Sequence, residues 1–440
     1  MERLLLSGGR VVDPATGLDA PMDILIADGR IESILPARNA SSADKPPRGT
    51  RVLDLTGKIV TPGLVDMHVH LRDPGQEHKE IIETGTRAAA AGGFTSVACM
   101  PNTDPPNDGL ALTEYIVGEA RRTGVVNVFP IGCVSKGSRG EDLAEIGDMV
   151  RGGIVAVSDD GHPVGSSRLM RQALEYTTMF DIPVIDHCED RSLSAGGVMN
   201  EGHVSTVLGL QGIPAAAEEI SVDRNIALAR LTGGRLHLAH LSTRGSVERV
   251  RAAKRDGVPI TCEVTPHHLV LTDEAVRESG YDSNTKMNPP LRSEDDRQAV
   301  LAAVADGTID AIASDHAPHH VDEKMREFDA APFGIIGLET VVPLMMDRLV
   351  RAGVIDMQRL VTLLAWNPAR ILRIDRGCLK QGATADVTVI DPDLERTVDV
   401  GRFHSRSRNC PFDGWSLRGW PVTTIVGGCI VHELNAASPR

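Results

Sequence analysis

Aromatic side chains are scarce: three tryptophans, three tyrosines and seven phenylalanines in 440 residues. So few rings leave no platform on which bases could stack, and no long basic run is present, so nucleic acid is not expected as a partner. Basic residues are themselves in deficit, with 46 lysines and arginines against 60 acidic residues and a formal net charge of −14. An anionic ligand would therefore need a local cation. No apolar run approaches the ~20 residues that span a bilayer, so no membrane partner is expected. The opening MERLLLSGGRVVDP has only three leucines in a row before polar residues, too few for a secretory leader. Seven cysteines (Cys99, Cys133, Cys188, Cys262, Cys378, Cys410 and Cys429) are scattered, with no CxxC pair. An odd number at irregular spacing gives no disulfide framework, and reduced thiols in a cytoplasmic protein are the expectation.

What is present is alternation. Eight short β-type runs occur in order: LVDMHVHL (64–71), FTSVACM (94–100), VVNVFPIGCV (125–134), IVAVSDD (154–160), PVIDHCE (183–189), RLHLAHLS (235–242), PITCEVT (259–265) and TIDAIASDH (308–316). Helix-like stretches lie between them. EHKEIIETGTRAAAAGG and AAEEISVDRNIALARLTGG both finish on paired glycines, where a helix end needs a left-handed residue. Eight βα repeats predict an α/β fold of the TIM-type (β/α)8 barrel class rather than an open sheet. The ends differ. DILIADGRIESIL carries a hairpin signal at Asp28–Gly29, a polar stretch at 37–50 reads as a surface loop, and strand character returns in GATADVTVIDP and TTIVGGCIVHEL. These segments predict one small β-sandwich domain formed from both chain termini. The expected division is 1–55 for its N-terminal part, 56–372 for the barrel and 373–440 for its C-terminal part.

The first run, LVDMHVHLRD, puts His68, His70 and Arg72 at alternate positions. In an extended chain these share a face, and Met67, Val69 and Leu71 share the other. Five other residues fall near strand ends: Asn102 after the second, Asp160 on the fourth, His187 on the fifth, His240 on the sixth and Asp315 on the eighth. In a parallel barrel the C-terminal strand ends converge on one mouth. Four imidazoles and two carboxylates gathered there have the composition of a site for one or two divalent ions such as zinc. Each has an ordinary reading alone: His187 as a core histidine, Asp159–Asp160 as a turn cap, Arg72 as a surface partner of Asp73 or Glu77. Six at the same end of their strands are not explained that way. His267–His268 lie near the mouth without an assigned role. His162, His320 and His404 read as surface residues, Cys188 as packing, and RSEDDR (292–297) as a solvated face.

The stretches PGLVDMHVHLRDPG, MPNTDPP, DHCED, KMNPPLR, SDHAPH and APFGIIGLET together resemble the dihydroorotases of the longer bacterial type, within the amidohydrolase superfamily, over nearly the whole chain. The resemblance implies metal coordination by His68, His70, Asp160, His187, His240 and Asp315, with one or two Zn2+ per chain. It implies Asp315 as catalytic base and acid. It also implies substrate contacts from His70, Arg72, Asn102, Asn288 and His319, and from Phe333–Gly334 through the backbone. The implied reaction is the reversible cyclisation of N-carbamoyl-L-aspartate to L-dihydroorotate in pyrimidine biosynthesis. The implied partners are this small substrate, further copies of the chain in a homo-oligomer, and aspartate transcarbamoylase. Many relatives carry a carboxylated lysine on strand four, whereas GGIVAVSDDGHP has none. Spacing to His187 favours Asp160 over Asp159 as the ligand there. Two other readings compete: a hydantoinase or allantoinase, and a non-catalytic dihydroorotase-like scaffold.

Overall fold

The computed structural model describes residues 3–37 and 49–434. Most of the polar stretch expected as a surface loop (38–48) lies outside the described residues. All eight expected barrel strands form, shorter than the runs that announced them: β1 (Leu64–Val69), β2 (Phe94–Cys99), β3 (Asn127–Gly132), β4 (Ala156–Val157), β5 (Val184–Asp186), β6 (Leu236–Leu238), β7 (Ile260–Val264) and β8 (Ala311–Ile312). They pair in sequence order as one parallel sheet. The ring closes where Val69 bridges to His316 and the His70 N–H donates to the His316 carbonyl at 2.9 Å. Alternate strand residues divide between two apolar clusters. Ala98, Ile131, Ala156, Ile185, Ala239, Ala311 and Ala313 meet inside the ring. Val97, Val157, Val184, Leu238, Cys262 and Ile312 join the layer under the helices. Small side chains suit the crowded interior of a closed barrel, and β-branched ones suit the sheet's outer face.

The helices Ile82–Ala91 and Ala215–Thr232 end as the paired glycines implied. The left-handed residues are Gly93 (φ +89) and Gly233 (φ +69), while Gly92 stays right-handed at φ −77. Starts are fixed by side chains: the Thr243 and Ser293 hydroxyls accept backbone N–H groups of the helices that follow them. Among the described residues no helix is long and apolar enough to cross a membrane.

Both termini contribute to one second sheet. Its order runs Cys429–Glu433, Ser416–Val426, Val387–Thr397, Ile59–Pro62, Arg3–Asp13, Leu18–Ala27 and Arg30–Pro36, with Thr50–Asp54 also pairing on Arg3–Asp13. Asp28 (φ +49) and Gly29 (φ +75) make the expected two-residue hairpin turn. Leu6, Ile24, Ile26 and Ile31 from the N-terminal strands pack with Val387, Val389 and Ile425 from the C-terminal ones, which gives this unit its own core. Between two of its strands the chain leaves the sheet, and the buried residues Ser405, Ser407 and Asn409 reach the barrel rim.

The alternation expected across β1 holds only in part. Val69 and Leu71 join the outer layer, but Met67 joins the interior cluster. The register of β1 against β2 shifts between Asp66 and Val69, so neighbouring positions there do not simply swap faces. Arg72 lies beyond the strand with φ +61, so a left-handed turn rather than the pleat aims it.

Candidate active site

His68, His70, Asp160, His187, His240 and Asp315 meet at the C-terminal mouth of the barrel, all buried. His68 Nε2 lies 3.4 Å from Asp160 Oδ1 and 3.5 Å from Asp315 Oδ1. His70 Nε2 is 3.1 Å from Asp315 Oδ1 and 3.5 Å from Asp160 Oδ2. From the other side, His187 Nδ1 and His240 Nε2 each stand 3.7 Å from Asp160 Oδ1, and 3.0 Å from each other. Two overlapping triads emerge, His68–Asp160–His240 and His68–His70–Asp315, each compact enough to share an ion. His68 Nε2 and Asp160 Oδ1 are buried without any hydrogen-bond partner. Orphaned polar atoms facing one another in a dry interior are costly unless something binds between them, and a donor set of neutral imidazoles and carboxylates fits a divalent cation.

Neighbouring side chains aim these groups. Glu263 on β7 points into the ring, where its Oε1 is 2.7 Å from His68 Nδ1 and its Oε2 is 3.2 Å from His237 Nε2. Accepting from His68 Nδ1–H leaves the Nε2 lone pair facing the cluster, a common device for orienting metal-binding histidines. Asn102 does the same for His70, with its Oδ1 2.8 Å from His70 Nδ1. Glu189 Oε2 lies 3.3 Å from His187 Nε2. Asp159 is excluded from the centre. It accepts from the Val134 and Ser135 N–H groups and the Ser135 hydroxyl, so it braces the β3 and β4 ends while Asp160 faces inward.

Electrostatics follow from this packing. Burial opposes charge on every member. At His68 the fields of Asp315, Asp160 and Glu263 overcome it and raise the imidazole well above its usual range. Burial is likewise overcome at His187, raised to about 10 by Asp160 and Glu189. Against burial, the His68 charge holds Asp160 and Asp315 below the usual carboxylate range, helped at Asp315 by the hydrogen bond with His70. Glu263 falls to about 2 for the same reasons. The carboxylates are ionised, and His68 and His187 hold protons that a cation would displace, whereas burial first and then the Arg72 charge lower His70. His240 (φ +32), Asp315 (φ +45) and Arg72 (φ +61) all sit in the left-handed region, local strain of the kind that concentrates at functional sites.

A cavity of about 320 Å³ opens onto the cluster, lined by Arg72, Asn102, Asn288, Pro332, Phe333 and Gly334 besides every cluster residue except His68. Arg72 is 8% exposed, its Nε–H donates to the Pro318 carbonyl at 3.2 Å, and among the described residues its guanidinium has no ion pair, to Asp73, Glu77 or any other acid. Burial lowers it to about 10, so it stays charged at neutral pH. Asn288 Nδ2 lies 3.2 Å from His187 Nε2. His319 is lowered to about 2, first by burial and then by Arg72, Lys79 and Lys324, so its ring is neutral. The backbone of Gly334 is already engaged: its N–H donates to the Lys286 carbonyl at 2.9 Å, and its carbonyl accepts from Lys324 and Asn409. What Gly334 offers the cavity is an absent side chain. A Cβ there would lie 2.7 Å from the Ala317 carbonyl oxygen and from His319 Cδ2.

Elsewhere the sequence reading needs adjustment. His267 and His268 are buried; His268 bridges Thr265 and the Pro289 carbonyl beneath Asn288. His162 and His404 are exposed as expected, and His320 caps a short helix. Cys188 is packing in the core. RSEDDR is not wholly a solvated face, because Arg292 is buried, donates to Ser242, Asn200 and Ile213, and lies 3.8 Å from Glu218. Glu263, Glu189 and Asn409 escaped the sequence reading. An inward glutamate at alternate spacing in ITCEVT, and a carboxylate two residues after His187, were the available signals for the first two.

A closed parallel barrel with this cluster at its mouth and a second sheet built from both termini defines an amidohydrolase-type enzyme fold. A solved L-hydantoinase from Arthrobacter aurescens superposes with a TM-score of 0.87 at 27% identity, covering 99% of this chain and 97% of that one. A dihydropyrimidinase from Brevibacillus agri shares the fold with a TM-score of 0.83 at 22% identity, covering 98% of this chain and 95% of its own. Sequence narrows the class. A family model described as Dihydro-orotase-like matches residues 57–246. The dihydroorotase of Geobacter sulfurreducens is 58% identical and that of Geobacter metallireducens 56%, each over 98% of this chain and 99% of the relative. The chain belongs to the dihydroorotase family.

Proposed function

We propose that this chain interconverts N-carbamoyl-L-aspartate and L-dihydroorotate, a ring-closing and ring-opening amide reaction. The observation that carries the reading is one buried, unpaired guanidinium sharing a small cavity with five of the six groups that would hold a cation, His70, Asp160, His187, His240 and Asp315, with His68 directly behind them. The first is what a free carboxylate needs, and the second is what an unactivated amide needs. His68, His70, Asp160, His187, His240 and Asp315 would hold the ion. Zinc, one or two per chain, would lower the pKa of water from about 15.7 to about 7 and polarise the scissile carbonyl.

The protein's own groups do the rest. Asp315, ionised and 3.1 Å from His70 Nε2, takes the proton of the attacking water and passes it to the leaving ring nitrogen. In the ring-closing direction it removes the proton from the carbamoyl nitrogen, so one carboxylate serves both directions. Arg72 grips the unreacting carboxylate with two parallel N–H bonds. Asn102, Asn288 and neutral His319 supply further polar contacts, and the Phe333–Gly334 backbone closes the side of the cavity. Within this reading the protein is cytoplasmic, assembles with copies of itself and works beside aspartate transcarbamoylase, points that sedimentation and copurification test.

The hydantoinase-like overall fold favours a second reading, hydrolysis of a cyclic amide without the carboxylate. Turnover of L-dihydroorotate, hydantoin and allantoin by purified protein separates the two. Preference for dihydroorotate is expected, and preference for either of the others would reject the proposal.

A further inference from the structure

Two buried lysines stand behind the cavity wall without acidic partners. Lys286 and Lys324 are 2% and 7% exposed. Among the described residues neither forms an ion pair, and the acids that act on them, Asp329, Asp282 and Glu323, do so only through space. Their ammonium groups meet backbone carbonyls instead. Lys286 Nζ donates to the carbonyls of Phe328 at 2.8 Å and Asp329 at 2.9 Å. Lys324 Nζ donates to those of Pro332 at 3.0 Å and Gly334 at 3.1 Å. All four acceptors lie on one irregular segment, 328–334, which ends in three residues lining the cavity, Pro332, Phe333 and Gly334. Lys286 Nζ also sits 4.6 Å from the centre of the Phe333 ring, close enough for a cation–π contact.

A third side chain completes the arrangement from the other end of the sequence. Asn409, 2% exposed, donates through Nδ2 to the carbonyls of Ala317 at 2.9 Å and Gly334 at 3.0 Å, and accepts at Oδ1 from the His319 N–H at 3.2 Å. It ties the segment after β8, which carries His319, to the segment that carries Gly334. Desolvating two ammonium groups to satisfy loop carbonyls is expensive packing. An apolar filler would stabilise the same space more cheaply, so the placement of the loop is what the cost secures.

Resting on the proposed reaction, we infer that Lys286, Lys324 and Asn409 are positioning residues: a three-point clamp that holds Phe333–Gly334 and His319 against the substrate's free carboxylate. They do not touch the reacting atoms. They fix the wall that recognises the part of the substrate that does not react.

The test compares L-dihydroorotate with 5,6-dihydrouracil, the same ring without the carboxylate, in Lys286→Met, Lys324→Met and Asn409→Leu. Lys324→Gln, which keeps a donor, serves as the conservative variant. KM for dihydroorotate should rise at least tenfold in the first three, with kcat and bound metal changed far less. The inhibition constant of 5,6-dihydrouracil should stay within about threefold, and Lys324→Gln should recover part of the loss. Unchanged KM in folded variants, or equal loss toward both ligands, would overturn the clamp. Hydrogen exchange of the wild-type chain without ligand covers variants that fail to fold. Slow exchange of the 328–334 amides supports a held loop, and exchange at the rate of free peptide contradicts it. If the wild type does not turn over dihydroorotate, the proposed reaction fails, and the exchange result alone decides the clamp.

Discussion

Replacing Glu263 by glutamine tests how the cluster is aimed without touching any of its members. The carboxylate is fully buried and accepts from two imidazoles at once, His68 Nδ1–H at 2.7 Å and His237 Nε2–H at 3.2 Å. A glutamine of the same size can accept from one but must present its amide hydrogens to the other. Either His68 loses its acceptor, freeing the ring to turn its protonated nitrogen to the centre, or His237 exchanges tautomers against Thr261, which now holds its Nδ1 at 2.8 Å. Hydrogen bonds to a charged group contribute about 1.5–3 kcal/mol. Loss of such a partner to a metal-binding histidine typically costs about 10–100-fold in affinity, equivalent to roughly 1.4–2.7 kcal/mol. Zn2+ should therefore bind Glu263→Gln at least tenfold more weakly in a competitive chelator titration, and the metal-dependent rise in Tm should shrink. Wild-type affinity in the variant would refute the assignment of Glu263 as the group that orients His68.

Four further outcomes are expected. Asp315→Asn should lower kcat by about 10²–10⁴-fold, the range for loss of a proton-transfer group, with the circular dichroism spectrum retained; activity within tenfold of wild type would remove the assigned role. Arg72→Ala should cut kcat/KM for dihydroorotate by roughly tenfold to a hundredfold, the worth of a charge-assisted pair, mainly through KM. Gly334→Ala should raise KM, because its Cβ would lie 2.7 Å from both the Ala317 carbonyl and the His319 ring; steady-state kinetics equal to wild type would show that the wall yields freely. Metal affinity should rise with pH. His187 is raised to about 10 in the metal-free protein, so its stabilising contribution is complete below its ordinary value near 6.5 and fades as pH climbs towards 10. A cation needs that ring neutral, so at pH 7 binding releases a proton and dissociation constants should fall between pH 6 and 8. A flat dependence would contradict the charge distribution described for the cluster.

The barrel was legible because its signal is repeated. Eight β-type runs in βα alternation leave few other topologies, and every one became a strand. Residues that act from strand ends, such as His187 in DHCED and Asp315 in SDHAPH, were equally visible, since chain direction alone puts them at one mouth. Asp160 could be told from Asp159 only by spacing, and the geometry supplies the reason: Asp159 is consumed by Val134 and Ser135. Harder to read was anything that depends on a turn or a distant segment. The reach of Arg72 comes from a left-handed residue past the strand end, not from strand alternation. Asn409 meets Ala317 across 92 residues and Gly334 across 75, and no local pattern announces such a contact. Glu263 looked like an ordinary strand residue because a buried carboxylate becomes informative only once its two imidazole partners are known.

Divalent metal per chain, counted by elemental analysis on freshly purified protein and followed through chelation and restoration alongside L-dihydroorotate turnover, tests the central claim most directly. One or two zinc equivalents, with activity lost and regained in step with them, is the expected result. Full turnover by a chain stripped of metal would contradict it.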